Sequence, residues 1–305
     1  MNKSISDIQE IECEFVLTIG NFDGVHKGHV SLIDQIKTLK SSNLIKLAAM
    51  TFHPHPHVVL FSKEDFLLER PDNKSKLLFD AGVDFIITLP FTRDFSTLSP
   101  TEFLTKYVFK NKLLKMVCLG HDFNFGSNKQ GTFEDFAKLG ESQNIQILKM
   151  QPFGSSNNQN ISSSLIRRML KEGNVKTANE YLGRNYSLDG GVVKGAGRGK
   201  LIGFPTANMN IDKTRLTPKI GVYATITQYK GIRFQSITNI GRNPTFGEGS
   251  VSIETYIFDF NHDIYGENIE LEFCDFIRDE IKFANVNDLI SQISKDVELR
   301  KSLNV

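Results

Sequence analysis

The rhythm of apolar residues changes near position 183, and no other feature of the 305-residue chain limits its fold as strongly. Before that point, strand-like apolar runs alternate with amphipathic stretches. Phe15 to Ile19 precedes Val30 to Leu39, Ile45 to Phe52 precedes a loop, and Phe85 to Leu89 precedes Pro100 to Phe109. This alternation predicts βα units on a parallel sheet, since parallel neighbours need a crossover between them. Met116 to Leu119 and Ile145 to Met150 are expected as further buried strands, and Ser162 to Glu172 as a helix carrying Ile166, Met169 and Leu170 at helical spacing. After Tyr181-Leu182-Gly183-Arg184 the runs shorten and are broken by Gly and Pro. Gly190 to Lys194, Val222 to Tyr229, Phe234 to Ile240, Ile253 to Phe260 and Ile269 to Ile277 alternate as antiparallel strands do. The expected fold is a Rossmann-like α/β domain with a parallel sheet over residues 1–183, then an antiparallel β-barrel over 184–305. A terminal helix, Asn285 to Lys301, is expected to rest on that barrel through Leu289, Ile290, Ile293, Val297 and Leu299. The polar run from Ser155 to Asn160 is expected as a mobile loop.

Composition narrows the function classes. With 40% hydrophobic and 23% charged residues the chain is neither disordered nor collagen-like. The formal charge is +1, nearly balanced on each side of residue 183, so neither nucleic acid nor a membrane surface is an expected partner. Cys13, Cys118 and Cys274 lie far apart in apolar segments, which suggests neither a disulfide framework nor a cysteine metal cluster, and fits a reducing, cytoplasmic compartment. Met1 to Glu14 lacks an apolar targeting stretch, and no window approaches the ~18 apolar residues of a membrane span. The 24 Phe against no Trp describe a core that fills space without needing hydrogen-bond partners.

Two segments carry chemistry. Gly20-Asn21-Phe22-Asp23-Gly24-Val25-His26-Lys27-Gly28-His29 follows the first buried strand and opens the first helix, where free backbone N–H groups face an anion. His26 and His29, three apart, project to one side and can donate to phosphate oxygens, although an isolated histidine pair in a loop is as often merely solvated. Farther along, Gly191 to Gly203 places five glycines and three cations between a strand and Phe204-Pro205-Thr206-Ala207-Asn208. A phosphate cradle and a flexible turn are both open for this loop, which lacks the order of a P-loop. His53, His55 and His57 alternate along a Pro-interrupted stretch, a spacing that in an extended strand can mimic a metal triad.

These segments, with others in the same order, resemble the bacterial bifunctional riboflavin kinase/FAD synthetase family. The histidine stretch resembles its G-x-F-D-G-x-H-x-G-H signature. Thr51-Phe52-His53-Pro54-His55-Pro56 resembles T-F-x-P-H-P, Leu119 to Gly126 resembles V-G-x-D-F-x-F-G, and Ile161 to Arg167 resembles I-S-S-T-x-I-R. Gly203 to Asn208 is similar to the G-F-P-T-A-N signature of riboflavin kinases, followed by Gly221 to Ala224, Asn239 to Phe246, Ile253 to Phe260, Tyr265-Gly266 and Phe276 to Glu280. The resemblance implies a two-step enzyme. The barrel phosphorylates riboflavin with MgATP to give FMN and ADP, and the first domain transfers AMP from a second ATP to FMN, giving FAD and diphosphate.

By the same resemblance, His26 and His29 are catalytic in the first domain, and Gly20, Phe22, Asp23, Gly24, His55, Asp122, Ser163, Ser164 and Arg167 bind ATP there, with Phe123 and Phe125 read chiefly as core. In the barrel Glu254 is the general base, Thr206 and Asn208 are hard oxygen ligands for Mg2+, and Gly195, Gly197, Lys200, Gly203, Pro205 and Arg278 line the ATP and flavin site. Arg278 is alternatively part of a surface ion-pair cluster with Asp279 and Glu280. Only His55 of the three alternating histidines recurs in the family. The sequence departs from the pattern at His53, Ser164, Leu165 and Asn243, where Asp, Thr, Arg and Arg are usual. These departures leave open a kinase whose adenylyltransferase domain is impaired. ATP, riboflavin, FMN and FAD are the expected partners, and a monomer or weak homo-oligomer the expected state.

Overall fold

A computed structural model of the chain describes residues 2–40, 44–121, 123–127, 130–153, 160–195, 197–242 and 251–303. The chain divides into two compact units, Met1–Ser163 and Ser164–Val305.

The first unit is built on a parallel sheet of β1 (Lys3–Ile5), β2 (Phe15–Ile19), β3 (Lys46–His53), β4 (Phe85–Pro90), β5 (Leu114–Leu119) and β6 (Gln146–Lys149), in the order β1-β4-β3-β2-β5-β6. β2 is buried along its whole length because both faces of the sheet are covered, as a continuous apolar strand in a parallel sheet requires. Phe15, Leu17 and Ile19 join one core cluster with Met50, Ile87 and Leu119. Val16 joins the opposite one, with Ala49, Ile86 and Cys118 packed against Ile33 and Ile36 of α1 (Lys27–Leu39). The order of strands reverses at β2, where β3 leaves on one side and β5 on the other. That reversal falls between β2 and β5, and the carboxyl ends of the strands at such a point are the usual ligand position in these sheets.

Two differences from expectation affect the site. The stretch after β3 is not a plain loop: α2 (Pro56–Phe61) and α3 (Pro71–Asp80) occupy it, each with Pro in its first turn, where a missing N–H costs nothing. The stretch Pro100 to Phe109 begins as α4 (Pro100–Phe103) but continues as a π-helical turn, Leu104–Val108. α5 (Phe133–Ser142), capped reciprocally by Thr132 and Asp135, follows β5. The phenylalanines gather here. Phe123 and Phe125 stack at 5.8 Å, and Phe125 meets Phe136 at 4.7 Å.

The second unit opens with α6, which spans Ser163–Glu172 across the division, and α7 (Val175–Leu182). A boundary at 183 places both helices with the first domain, whereas the last turn of α6 and α7 hydrogen-bond within the second unit. Lys171 donates to the Thr217 carbonyl and the Asn179 amide to the Phe273 carbonyl. The barrel itself is closed, in the order β10-β11-β8-β7-β12-β9. Its strands are β7 (Tyr186–Val193), β8 (Ala207–Ile211), β9 (Gly221–Tyr229), β10 (Ile232–Arg242), β11 (Val251–Ile257) and β12 (Asn268–Arg278), all antiparallel, with the short α8 (Arg198–Leu201) between β7 and β8.

α9 (Val286–Ser302) lies on the barrel, and Val297 packs with Val222, Ile237 and Phe258 as expected. Leu299 does not face the barrel; it is exposed, and Arg300 is buried instead. Arg300 donates from Nε and a terminal nitrogen to the Thr225 carbonyl, which offsets part of the desolvation of its guanidinium. Residues 155–159 of the polar run from Ser155 to Asn160, Asp122 and Asn243 lie outside the described residues.

Candidate functional site

Each unit carries a cluster of functional side chains. In the first, residues 20–26 leave β2 and turn sharply into α1. Phe22 and Val25 both have left-handed backbone angles, φ +49° and +35°, which bulky residues adopt only when their surroundings hold them. Burial of both side chains supplies part of that hold. Asp23 supplies more. Its carboxylate accepts from the Leu68 amide through both oxygens and from the Glu69 amide, each at 3.1 Å. Asp23 therefore fastens the segment before α3 to the loop, and its own carbonyl accepts from Ser163 Oγ at 2.8 Å. Gly20 and Gly24 stand at either side of this turn, Gly24 with a positive φ.

The loop delivers His26 to the amino end of α1 and His29 to its first turn. Their rings stack with centroids 3.7 Å apart and planes within 17°. Phe22 meets His29 edge-on at 5.2 Å. Gly28 between them leaves room for the pair: a Cβ there would press on His26 Nδ1 at 3.0 Å and on the Ile161 carbonyl at 3.1 Å. Burial first, then the neighbouring His26 and Lys74, hold the His29 imidazole well below the ordinary histidine range. His29 Nδ1 is buried with no hydrogen-bond partner among the described residues. Such a ring is neutral at physiological pH, carries one N–H and one lone pair, and suits a phosphate oxygen.

His55 caps α2, accepting from the His57 amide through Nδ1 at 3.1 Å. His57 stacks on Phe66 at 4.9 Å, and His53 is exposed. The extended alternation that would line up three histidines is thus interrupted at Pro56, where the helix begins. A cleft of roughly 180 Å³ opens at the carboxyl ends of β5 and β6, lined by Gly120, His121, Asn124, Thr132 and Lys149 among others. Ser164 and Arg167 stand on α6 in the second unit, one residue or more past the division. Lys74, on α3, escaped the sequence reading altogether. Its ammonium donates to Thr51 Oγ1 at 3.0 Å and the Asn21 carbonyl at 3.4 Å.

In the second unit strand register does the positioning. Glu254 on β11 lies directly opposite Asn208 on β8 and, on its other side, Asn239 on β10. Ile253, Thr255 and Ile257 are buried, so the period of two turns Glu254 outward onto the barrel wall. Thr206 Oγ1, just before β8, donates to Glu254 Oε2 at 3.5 Å. Thr206, Asn208 and Glu254, singled out from the sequence, are therefore brought together. The loop between β7 and β8 covers them. Gly195 leaves the space that the Asn208 carboxamide fills, since a Cβ there would fall 2.2 Å from Asn208 Nδ2. Gly197 caps α8, which carries Lys200 exposed, and Gly203 and Pro205 lead back toward Thr206.

Arg278, expected at the ATP and flavin site or alternatively in a surface cluster with Asp279 and Glu280, does not form that cluster. It forms a bidentate ion pair with Asp296 of α9, Nε and a terminal nitrogen donating at 3.1 and 2.7 Å, and touches Asp279 only through the backbone carbonyl. Asp296 is buried and also accepts from Gln292. The sequence offered no sign of this partner, because a buried Asp on a helix is indistinguishable by pattern from a solvated one. Asn239 was visible only as part of a motif.

The FAD synthetase family model matches residues 8–165 and the riboflavin kinase model residues 182–303. A bifunctional riboflavin kinase/FMN adenylyltransferase of Listeria monocytogenes is 38% identical over 92% of this chain and 90% of its own, and one of Bacillus subtilis is 36% identical over 95% and 92%. A crystal structure described as a macrolide-efflux protein from Streptococcus pneumoniae has a TM-score of 0.88 and 30% identity, covering 99% of both chains. No helix of the described residues is long and apolar enough to cross a membrane. With matching models over both halves and relatives aligned along nearly the full length, the chain belongs to the bifunctional riboflavin kinase/FMN adenylyltransferase family.

Proposed function

We propose that the protein makes FAD from riboflavin in two ATP-dependent steps, riboflavin plus ATP to FMN plus ADP on the barrel and FMN plus ATP to FAD plus diphosphate on the parallel-sheet domain. The observation that carries the reading is the register that sets Glu254 opposite Asn208 and within 3.5 Å of Thr206, in a chain whose other unit presents a stacked histidine pair at the sheet's reversal point. Domain limits of 1–183 and 184–305 remain our functional assignment, with α6 and α7 as the connection.

In the kinase step the ribityl 5′-hydroxyl attacks the γ-phosphorus and must lose its proton as the bond forms. Glu254 accepts that proton, and Thr206 steadies the carboxylate from one side. Thr206 and Asn208 offer only oxygen donors beside a carboxylate, a hard set that fits Mg2+. When bound, the ion neutralises charge on the ATP phosphates. Gly195, Gly197, Lys200, Gly203 and Pro205 form the covering loop, whose backbone N–H groups and lysine face the phosphates. Arg278, assigned to the ATP and flavin site by the family resemblance, joins the end of β12 to α9 through Asp296.

In the adenylyl step an FMN phosphate oxygen attacks the α-phosphorus of ATP and diphosphate leaves, with no protein nucleophile. His26 and His29 donate N–H groups to the phosphate oxygens as charge builds there. Gly20, Phe22, Asp23 and Gly24 shape the turn, Asp23 through the Leu68 and Glu69 amides rather than through a ligand. By the family resemblance His55, Asp122, Ser163, Ser164 and Arg167 are assigned to ATP binding. A kinase with a silent first domain is not favoured, since the FAD synthetase model matches and the histidine pair is intact. We place the protein in the cytoplasm as a monomer or weak homo-oligomer, free of nucleic acid and membrane. The test is a time course of the purified protein with riboflavin and MgATP, resolved by chromatography. FMN followed by FAD is expected, whereas FMN alone confines the chain to the kinase step and no turnover removes both.

A further inference from the structure

At the carboxyl ends of β2 and β3 the first unit holds a cation that has no task in the two steps proposed. Lys74 is half-buried in the first turn of α3, and its ammonium reaches the carboxyl ends of two neighbouring strands. It donates to Thr51 Oγ1 near the end of β3 at 3.0 Å and to the Asn21 carbonyl just past β2 at 3.4 Å. The Thr51 hydroxyl in turn donates to the same carbonyl at 3.2 Å. Both acceptors of Lys74 are neutral. The nearby carboxylate of Asp23 is held by the Leu68 and Glu69 amides, and among the described residues no carboxylate forms an ion pair with Lys74. Burying an ammonium costs free energy that two neutral acceptors only partly offset, so the position suits a site that an anion completes.

We propose that Lys74 is a positioning residue of the adenylyl-transfer site: it ties the Asn21 carbonyl to the Thr51 hydroxyl, fixes the loop that presents His26 and His29, and provides the positive charge toward which the nucleotide's polyphosphate docks. The proposal rests on the adenylyl-transfer reading of the first unit. It explains why Thr51 of the T-F-x-P-H-P motif is a threonine, since its hydroxyl both donates and accepts in this junction. Electrostatics agree with the geometry. The titratable groups that act on His29 are His26, on its own turn, and Lys74, from α3, and both keep its imidazole neutral; Asp23 acts on Lys74 in the opposite sense to burial. A neutral His29 donates one N–H without competing for a proton from solvent, while the charge that the phosphates need comes from the lysine.

The experiment uses the full-length chain with Lys74→Met and Lys74→Arg. FMN-to-FAD conversion is followed from about pH 5.5 to about pH 9, riboflavin-to-FMN conversion serves as the internal control, and the His29 imidazole is titrated by NMR. Lys74→Met is expected to raise the ATP KM at least about tenfold with a smaller loss in kcat, and to move both the acid limb of FAD formation and the His29 titration to higher pH. Lys74→Arg, which keeps the charge, should recover most of the loss. Kinase turnover should not change. Wild-type KM and pH profile in Lys74→Met overturn the proposal, as does a loss shared equally by both variants with the His29 titration unmoved. Wild-type protein that forms no FAD overturns the adenylyl-transfer reading and the proposal together, whereas the first two results leave that reading standing.

Discussion

In the first unit the reactive histidines stand at the amino end of α1, where the chain turns out of a central strand of the parallel sheet; in the second the reactive side chains stand on or beside paired strands of a barrel wall. Glu254 needs no fastening of its own, because the hydrogen-bonded ladders on either side fix it opposite Asn208 and Asn239. His26 and His29 have no such ladder. Their loop is held by the Asp23 carboxylate on two amides, by Ser163 on the Asp23 carbonyl and by Lys74 on the Asn21 carbonyl. A site on loops thus depends on residues that never touch the reacting atoms, whereas a site on strands inherits its precision from the fold. The first should be easy to damage from a distance and the second should not.

The comparison can be broken most sharply at Glu254. Glu254→Gln removes the proton acceptor while preserving shape, and should lower FMN formation by about 10² to 10⁴-fold, with FAD formation from supplied FMN unchanged. If FMN formation persists, the register has been misread as chemistry. Next comes Asp296→Ala, which leaves the Arg278 guanidinium partly buried without its carboxylate. We expect about 3 kcal/mol of lost stability in the second unit, read by denaturant unfolding, with hydrogen exchange in β2 unaffected. Asp23→Ala should cost about 2 kcal/mol in the first unit. It should also reduce FAD formation disproportionately, because it releases the loop as well as two buried amides. An equal effect on both activities would contradict the contrast between loop-held and strand-held sites.

The smallest expected effect depends on pH. His29 titrates well below its ordinary value in the folded chain, so the unfolded chain takes up a proton first as the pH falls through about 6.5. The first unit is then expected to lose up to about 1.4 kcal/mol per pH unit below that point, and to show no contribution above it. His29→Gln should flatten the dependence, measured by hydrogen exchange of β2 amides between about pH 7 and about pH 5.

Much of the architecture was legible because it rests on local periodicity. The apolar run Phe15 to Ile19 and the alternation in Ile253 to Phe260 each show which faces are buried, and the structure has them so. Segments without a strong period were missed. β1 is three residues long with only Ile5 buried, and α2 and α3 lie in a Pro-broken stretch of mixed polarity. β8 was hidden inside a motif. The terminal helix shows the same limit in another form: hydropathy put Leu299 against the barrel, but Arg300 and Asp296 are the buried residues. Their partners, the Thr225 carbonyl and Arg278, are remote in sequence, and no window contains both ends of such a contact. The histidine pair and the Thr206, Asn208 and Glu254 set were found through motifs. Lys74 was not, since one lysine on an amphipathic helix looks like any solvated one until the fold shows what its ammonium reaches.

The central claim is that two separate sites act in sequence, and a crossed assay tests it most directly. Glu254→Ala and His29→Ala are each given riboflavin or FMN with MgATP, and FMN and FAD are quantified separately. Glu254→Ala is expected to make FAD from FMN but nothing from riboflavin, while His29→Ala is expected to make FMN from riboflavin and stop there. Loss of both conversions in either variant, or FAD formed by His29→Ala at the wild-type rate, would contradict it.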